Sequence, residues 1–262
     1  MEQINSEKFP IFDSHAHYDD AKFNGDLGDV LIKLKENGVV GVINCGVNYK
    51  SSEACIKLAE ENEMFYAAVG VHPEDLYSGN TLDTQLMQKL IKHPKVVAVG
   101  EIGLDYYWDS FSPEEQIKWL EDQIVFAEKN ELPVIIHDRE AHNDTLEILK
   151  KHKPKGVVHC FSGSVEIAKE ILKIGMYIGI GGVVSFKNAR KTVEVTKMLP
   201  LERLLLETDA PYLSPEPFRG QRCTSDLIYF TAKKVAEIKG ISAEEVINAS
   251  LKNVKTLFNK IK

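Results

Sequence analysis

The chain has 262 residues, 44% of them hydrophobic and 27% charged, with a formal net charge of −7; this composition supports a folded core and excludes general disorder. The acidic balance argues against broad, nonspecific attraction to nucleic acid but allows a local basic rim. No apolar run is long enough to span a membrane, and Cys45, Cys55, Cys160 and Cys223 are widely spaced without a CxxC pair, against both a disulfide framework and a cysteine zinc site.

The opening "MEQINSEKFP" lacks a basic start followed by an apolar run, so no secretory signal and a cytoplasmic location are expected. The first strand candidate follows as "FPIFDSH", then the helical stretch "LGDVLIKLKENG" and the strand "VVGVINCG". "SSEACIKLAEENE", opened by Ser and acidic groups, reads as a helix before the strands "FYAAVGVH" and "VVAVGEIG". In "SPEEQIKWLEDQIVFAEKN", Ser112 and Pro113 supply a cap and first turn. The strands "PVIIHD", "GVVHCF", "YIGIGGVV" and "RLLLETD" bring the total to eight. Two closing helices come last, "SDLIYFTAKKVAEIKG" and "SAEEVINASLKNVKTLF", the second opened by Ser242 with Glu244 and Glu245 behind it. Strands apolar on both faces and alternating with helices imply a parallel sheet. Eight such units without a linker predict an α/β fold: a single (β/α)8 TIM barrel over residues 1–262, with extra C-terminal helices.

Polar residues interrupt these strands at corresponding places. His15 and His17 stand two apart, on one face of an extended segment. Glu101 ends the fourth strand, His137 the fifth, His159 the sixth and Asp209 the eighth. In a barrel these ends gather at one mouth. A lone histidine in a strand is usually structural, but carboxylates are rarely buried without a partner. The set of four imidazoles and two carboxylates predicts a divalent metal site. Zinc or manganese suits the mixed donors, nickel is a further candidate, and magnesium normally takes more oxygen. His72 ends the third strand, where it contacts substrate or bonds the loop before Pro73. His93, His142 and His152 read as solvated and dispensable, and "GIGG" at 179–182 as close packing, because it lacks the Lys-Ser/Thr ending of a phosphate loop.

The segments "DSHAH", "GVHP", "GEIGLDYYW", "HDRE", "HCFSGS" and "ETDAPYL" occur in one order along nearly the whole chain. In them the chain resembles the TatD-type metal-dependent deoxyribonucleases of the amidohydrolase superfamily. The resemblance implies one ion held by His15, His17 and Asp209, a second by His137 and His159, and Glu101 bridging the two. It also implies a 3′ to 5′ exonuclease on single-stranded or frayed DNA ends. One segment departs from the family pattern: Cys223, Thr224 and Ser225 stand where the family usually has Asn, an acidic residue and Pro, at a loop expected to bear on substrate choice. The mechanism expected on this reading is that two bound cations would acidify a water and neutralise phosphate charge, with Asp209 accepting or relaying the proton and His72 bonding a phosphate oxygen.

Arg139, Lys187, Arg190, Arg219 and Arg222 follow strands and are candidate phosphate contacts. Tyr106, Tyr107 and Trp108 either stack on an unpaired base or pack their loop. The alternative is a small-molecule hydrolase acting on a lactone, amide or phosphoester, since fold alone does not fix substrate. Many amide-cleaving relatives use a modified lysine where this chain has Glu101. A non-catalytic barrel is a third reading, opposed by the full ligand set. Neither a membrane association nor an obligate protein partner is expected.

Overall fold

Strands that are apolar on both faces are stable only where both faces are covered, and here they line a cylinder wrapped in helices. The computed structural model describes residues 9–77 and 81–262; residues 1–8 of the stretch read for a secretory signal lie outside it. Strands β1 (Ile11–Ala16), β2 (Val39–Cys45), β3 (Phe65–Val69), β4 (Val96–Asp105), β5 (Val134–Arg139), β6 (Gly156–Val158), β7 (Tyr177–Ile180) and β8 (Leu204–Leu206) form one sheet in sequence order, each parallel to the next. The segment after β8 returns to β1. Asp209 N–H donates to His15 O at 3.0 Å and His17 N–H to Ala210 O at 2.7 Å, and Ala16 bridges Ala210. This seam closes the (β/α)8 barrel.

Helices α1 (Leu27–Glu36), α2 (Tyr49–Glu61), α3 (Thr84–Leu90), α4 (Pro113–Lys129), α5 (His142–His152), α6 (Val165–Ile174), α7 (Arg190–Met198), α8 (Ile228–Lys239) and α9 (Ala243–Leu257) surround it. Capping boxes start three of them: Asn48 with Ser51, Ser112 with Glu115, and Ser242 with Glu245. No helix among the described residues is long and apolar enough to cross a membrane.

Two layers of core result. One fills the space between strands and helices. The other comprises Phe12, Ile43, Ala68, Ile135, Val157 and Leu205 from the strands with Val254, Phe258 and Ile261 from the chain end. Lys260 Nζ donates to Val96 O, at the start of β4, at 2.8 Å. The closing helix α9 therefore seals the floor, at the N-terminal ends of the strands.

Side chains alternate along a strand. Beyond inward-facing Ile135, Val157 and Leu205, the next residues on that face are His137, His159 and Glu207, followed by Asp209. The expected strands overrun the observed ones: the sixth stops at Val158, the seventh at Ile180 before a short 3-10 turn (Gly182–Ser185), and the eighth at Leu206. Cys160 and Asp209 have φ of 42° and 67°, outside the extended region, which ends regular strand geometry there. His72 likewise stands in the loop after β3.

Candidate metal centre

Glu101 lies at the centre of the barrel mouth, 3% exposed, and its two oxygens face opposite ways. Oε2 is 3.3 Å from both His15 Nε2 and His17 Nε2. Oε1 is 2.9 Å from His137 Nδ1 and 2.7 Å from His159 Nε2. Asp209 Oδ1 joins the first group, 3.7 Å from His15 Nε2 and 3.5 Å from His17 Nε2. The structure thus gathers His15, His17, Glu101, His137, His159 and Asp209 into one cluster, in two halves that share Glu101. His72 approaches the second half, with Nε2 3.6 Å from Glu101 Oε1.

The ring nitrogens facing away decide what the inner ones can do, because a neutral imidazole carries one proton. His17 Nδ1 donates to Cys45 O at 2.8 Å, so in the neutral ring the lone pair is on Nε2. His137 Nε2 donates to Asp105 Oδ2 at 2.9 Å, so in the neutral ring the lone pair is on Nδ1. His15 Nδ1 lies 3.4 Å from Cys45 Sγ. His72 is the reverse case: its Nδ1 accepts from Glu74 N–H at 3.2 Å, so its proton sits on Nε2 and faces the cleft as a donor. The inner nitrogens converge pairwise, His15 Nε2 and His17 Nε2 at 3.0 Å, His137 Nδ1 and His159 Nε2 at 3.4 Å. Nitrogens this close repel unless something positive lies between them, and the donor set fits two borderline divalent cations.

The electrostatics agree. Burial opposes charge on Glu101, but His159, His15 and the other imidazoles hold it well below the usual carboxylate range. Burial lowers His15 to about 4 and His72 to about 3. For His137 burial is outweighed by hydrogen bonds to Asp105 and Glu101, which raise it to about 10. For His17 it is outweighed by Asp209 and Glu101, and the shift is again strongly upward. The field favours positive charge on both sides of Glu101.

Sequence reasoning assigned no role to the groups behind the ligands. Asp105 and Glu207 lie inside quoted segments, yet their partners are remote. Glu207 Oε1 accepts Cys160 N–H, and burial pushes its carboxyl up to about 8. It lies 3.8 Å from His159 Nδ1, which has no hydrogen-bond partner among the described residues. Buried Asp13 accepts from His15 N–H at 3.2 Å and from the hydroxyls of Thr208 and Ser225 at 2.6 Å each, bracing β1 against the segment after β8. Ser225 is one of the residues that depart from the family pattern. Cys223, Thr224 and Ser225 are buried, so this segment supports the ligand strand instead of lining the mouth, contrary to the expectation of a substrate loop.

The cleft has a volume of about 900 Å³ and is lined by His17, His72, Glu101, His137, His159 and Asp209 together with Asp19, Asp20, Glu74, Asp75, Asp138 and Arg139. Of the basic residues expected there, Arg139 is present, its guanidinium 3.9 Å from the centre of the Tyr107 ring. The others do not line the cleft. Arg222 pairs with Asp26 through both nitrogens, at 2.9 and 2.6 Å; Arg219 covers the Phe186 ring; Arg190 pairs with Glu194; and Lys187 is not a lining residue. Tyr107 and Trp108 are 55% and 48% exposed, and Trp108 lines the cleft. Tyr106 packs its loop by donating to Asp144. His142, expected to be solvated, is half-buried and bonds Asp138 Oδ2 at 2.8 Å.

Comparison with known proteins adds to this geometry. The profile of a family described as TatD related DNase matches residues 12–259. An uncharacterised metal-dependent hydrolase of Bacillus subtilis is 39% identical over 251 residues, spanning 95% of this chain and 98% of its own. Among solved structures, a TatD homologue from Escherichia coli superposes with a TM-score of 0.89 at 34% identity, covering 97% of this chain and 99% of its own. A TatD family hydrolase from Entamoeba histolytica superposes with a TM-score of 0.85 at 26% identity, with coverage of 97% and 99%.

Proposed function

The chain belongs to the TatD-related DNase family of metal-dependent hydrolases, within the amidohydrolase superfamily, and on that premise we propose that it cleaves phosphodiester bonds at single-stranded or frayed DNA ends, 3′ to 5′, with two divalent cations bound. The observation that carries this reading is the split of Glu101, one oxygen toward His15 and His17 and the other toward His137 and His159. Bound there, two cations would supply an acidified water and neutralise charge on the phosphoryl oxygens. His72 Nε2–H, held outward by Glu74, donates to a phosphate oxygen. Asp209 is kept ionised despite its burial by the His17 bond, and it accepts the water proton. Arg139 contacts the adjoining phosphate, and Trp108 and Tyr107 offer ring faces to an unpaired base.

A second reading, a hydrolase of small phosphoesters or lactones, is favoured by the acidic rim of Asp19, Asp20, Glu74 and Asp75. The test is a panel of 3′- and 5′-labelled single-stranded DNA, RNA, small phosphoesters and lactones, assayed with manganese, zinc or magnesium. Expected is metal-dependent shortening of DNA from the 3′ end, lost with chelator and in Glu101→Ala together with bound metal. Turnover of the small esters with DNA untouched would favour the second reading, and full activity in Glu101→Ala would remove the basis of both.

A further inference from the structure

One ligand histidine and the exposed aromatic lip of the cleft meet at a single carboxylate. Asp105 ends β4 and is 1% exposed. Its Oδ2 accepts His137 Nε2–H at 2.9 Å, while its Oδ1 accepts Tyr107 N–H at 2.9 Å and Trp108 N–H at 3.3 Å. The residue is itself clamped: its N–H donates to Gln116 Oε1 at 2.8 Å and its carbonyl accepts from Gln116 Nε2 at 2.9 Å, which ties it to α4. We propose that Asp105 is a positioning residue that sets the tautomer of His137 and thereby couples cation binding at that histidine to the placement of Tyr107 and Trp108. This rests on the two-cation reading above.

An ionised carboxylate can only accept, so it keeps a proton on His137 Nε2, and the proton that a cation displaces is the one on Nδ1, facing Glu101. A cation drawing on Nδ1 makes Nε2–H more acidic and tightens its bond to Oδ2. Because the carboxylate is planar, that pull turns Oδ1 against the two backbone N–H groups of the lip. None of the other ligand histidines has this connection. His15 and His17 back onto Cys45, and His159 points toward Glu207, all of them away from the exposed ring faces. The coupling therefore belongs to one half of the centre.

Asp105→Asn separates the roles. Its amide oxygen can still serve the lip, but its NH2 faces His137 Nε2 and favours the tautomer with a proton on Nδ1, where the lone pair is needed. Zinc is titrated against a competing chelator. Two ions are expected in the natural chain, and in Asp105→Asn one of them should weaken by about 10- to 100-fold while the other is unchanged. The chain has two tryptophans, so Trp119→Phe leaves Trp108 as the sole emitter. In that background zinc should shift its emission, and adding Asp105→Asn should abolish the shift at the same zinc concentration. Two ions bound with unchanged affinity in Asp105→Asn overturns the inference alone, and so does flat Trp108 emission in Trp119→Phe while zinc binds. No zinc uptake by the natural chain overturns the two-cation reading as well. If Asp105→Asn fails to fold by circular dichroism, the Trp119→Phe titration still decides.

Discussion

At three histidines of the cleft the nitrogen facing away from it governs the one facing in. Cys45 O fixes His17, Asp105 fixes His137, and the Glu74 N–H turns His72 from a ligand into a donor. These are long-range partnerships, and a strand-end histidine in a sequence carries no mark of its tautomer. The same residues set a pH dependence. His137 is raised to about 10, and His17 well above its ordinary value, by carboxylates that outweigh burial. Both hold a proton at neutral pH, and a cation must displace it. Fewer free protons favour that displacement, so zinc affinity should rise with pH, with roughly one proton released per ion bound. Calorimetry in two buffers of different ionisation enthalpy measures the release directly. Uptake without proton release, and with affinity constant from roughly pH 6 to 8, would show that neither histidine is charged before binding.

The strand is the element that converts sequence spacing into a site, since the inward face of β5 runs from Ile135 to His137 and that of β6 continues from Val157 to His159 just beyond its end. Packing at β7 enforces the same geometry from the side. A Cβ on Gly179 would overlap the Glu207 carboxylate and come within 3.0 Å of His159 Cα. Gly179→Ala should therefore cost about 1–3 kcal/mol of stability, read as a lower urea midpoint, and should also weaken zinc binding through displaced His159. Unchanged midpoint and affinity would mean that the strand end yields freely. The eight strands and the six clustered donors were legible because buried β-branched runs and their polar interruptions are local features. Strand ends were less so: Cys160 and Asp209 adopt positive φ where the barrel turns out toward the cleft, and composition does not announce that turn. Arg222 was misplaced for a related reason, because Asp26, its partner, is 196 residues away. The His142 contact with Asp138 was hidden although the two are four residues apart, because Asp138 lies in β5 and His142 opens α5, and the turn between them sets the contact.

Across the whole molecule, the floor is closed by the chain end and the mouth is left as an acidic rim around a cationic site. The net charge of −7 and the carboxylates Asp19, Asp20, Glu74 and Asp75 oppose a polyanion, and among the described residues Arg139 is the lysine or arginine that lines the cleft. This balance makes a statement about DNA that differs from what a basic groove would imply. For single strands, each phosphate neutralised by a protein cation adds about 0.7 to the slope of log affinity against log salt. One arginine contact sets that slope near 0.7, and repulsion from the rim, screened over about 10 Å at 0.1 M salt, pushes it toward zero. Between roughly 0.05 and 0.3 M salt, KM for a single-stranded oligonucleotide should change by no more than about fourfold, and lengthening the strand should gain little. Arg139→Ala should flatten what dependence remains. A slope of about 3 or more would require several further basic contacts along the strand and would place the DNA path outside this cleft, whereas a shallow slope confines recognition to the terminal nucleotides held at the metal centre.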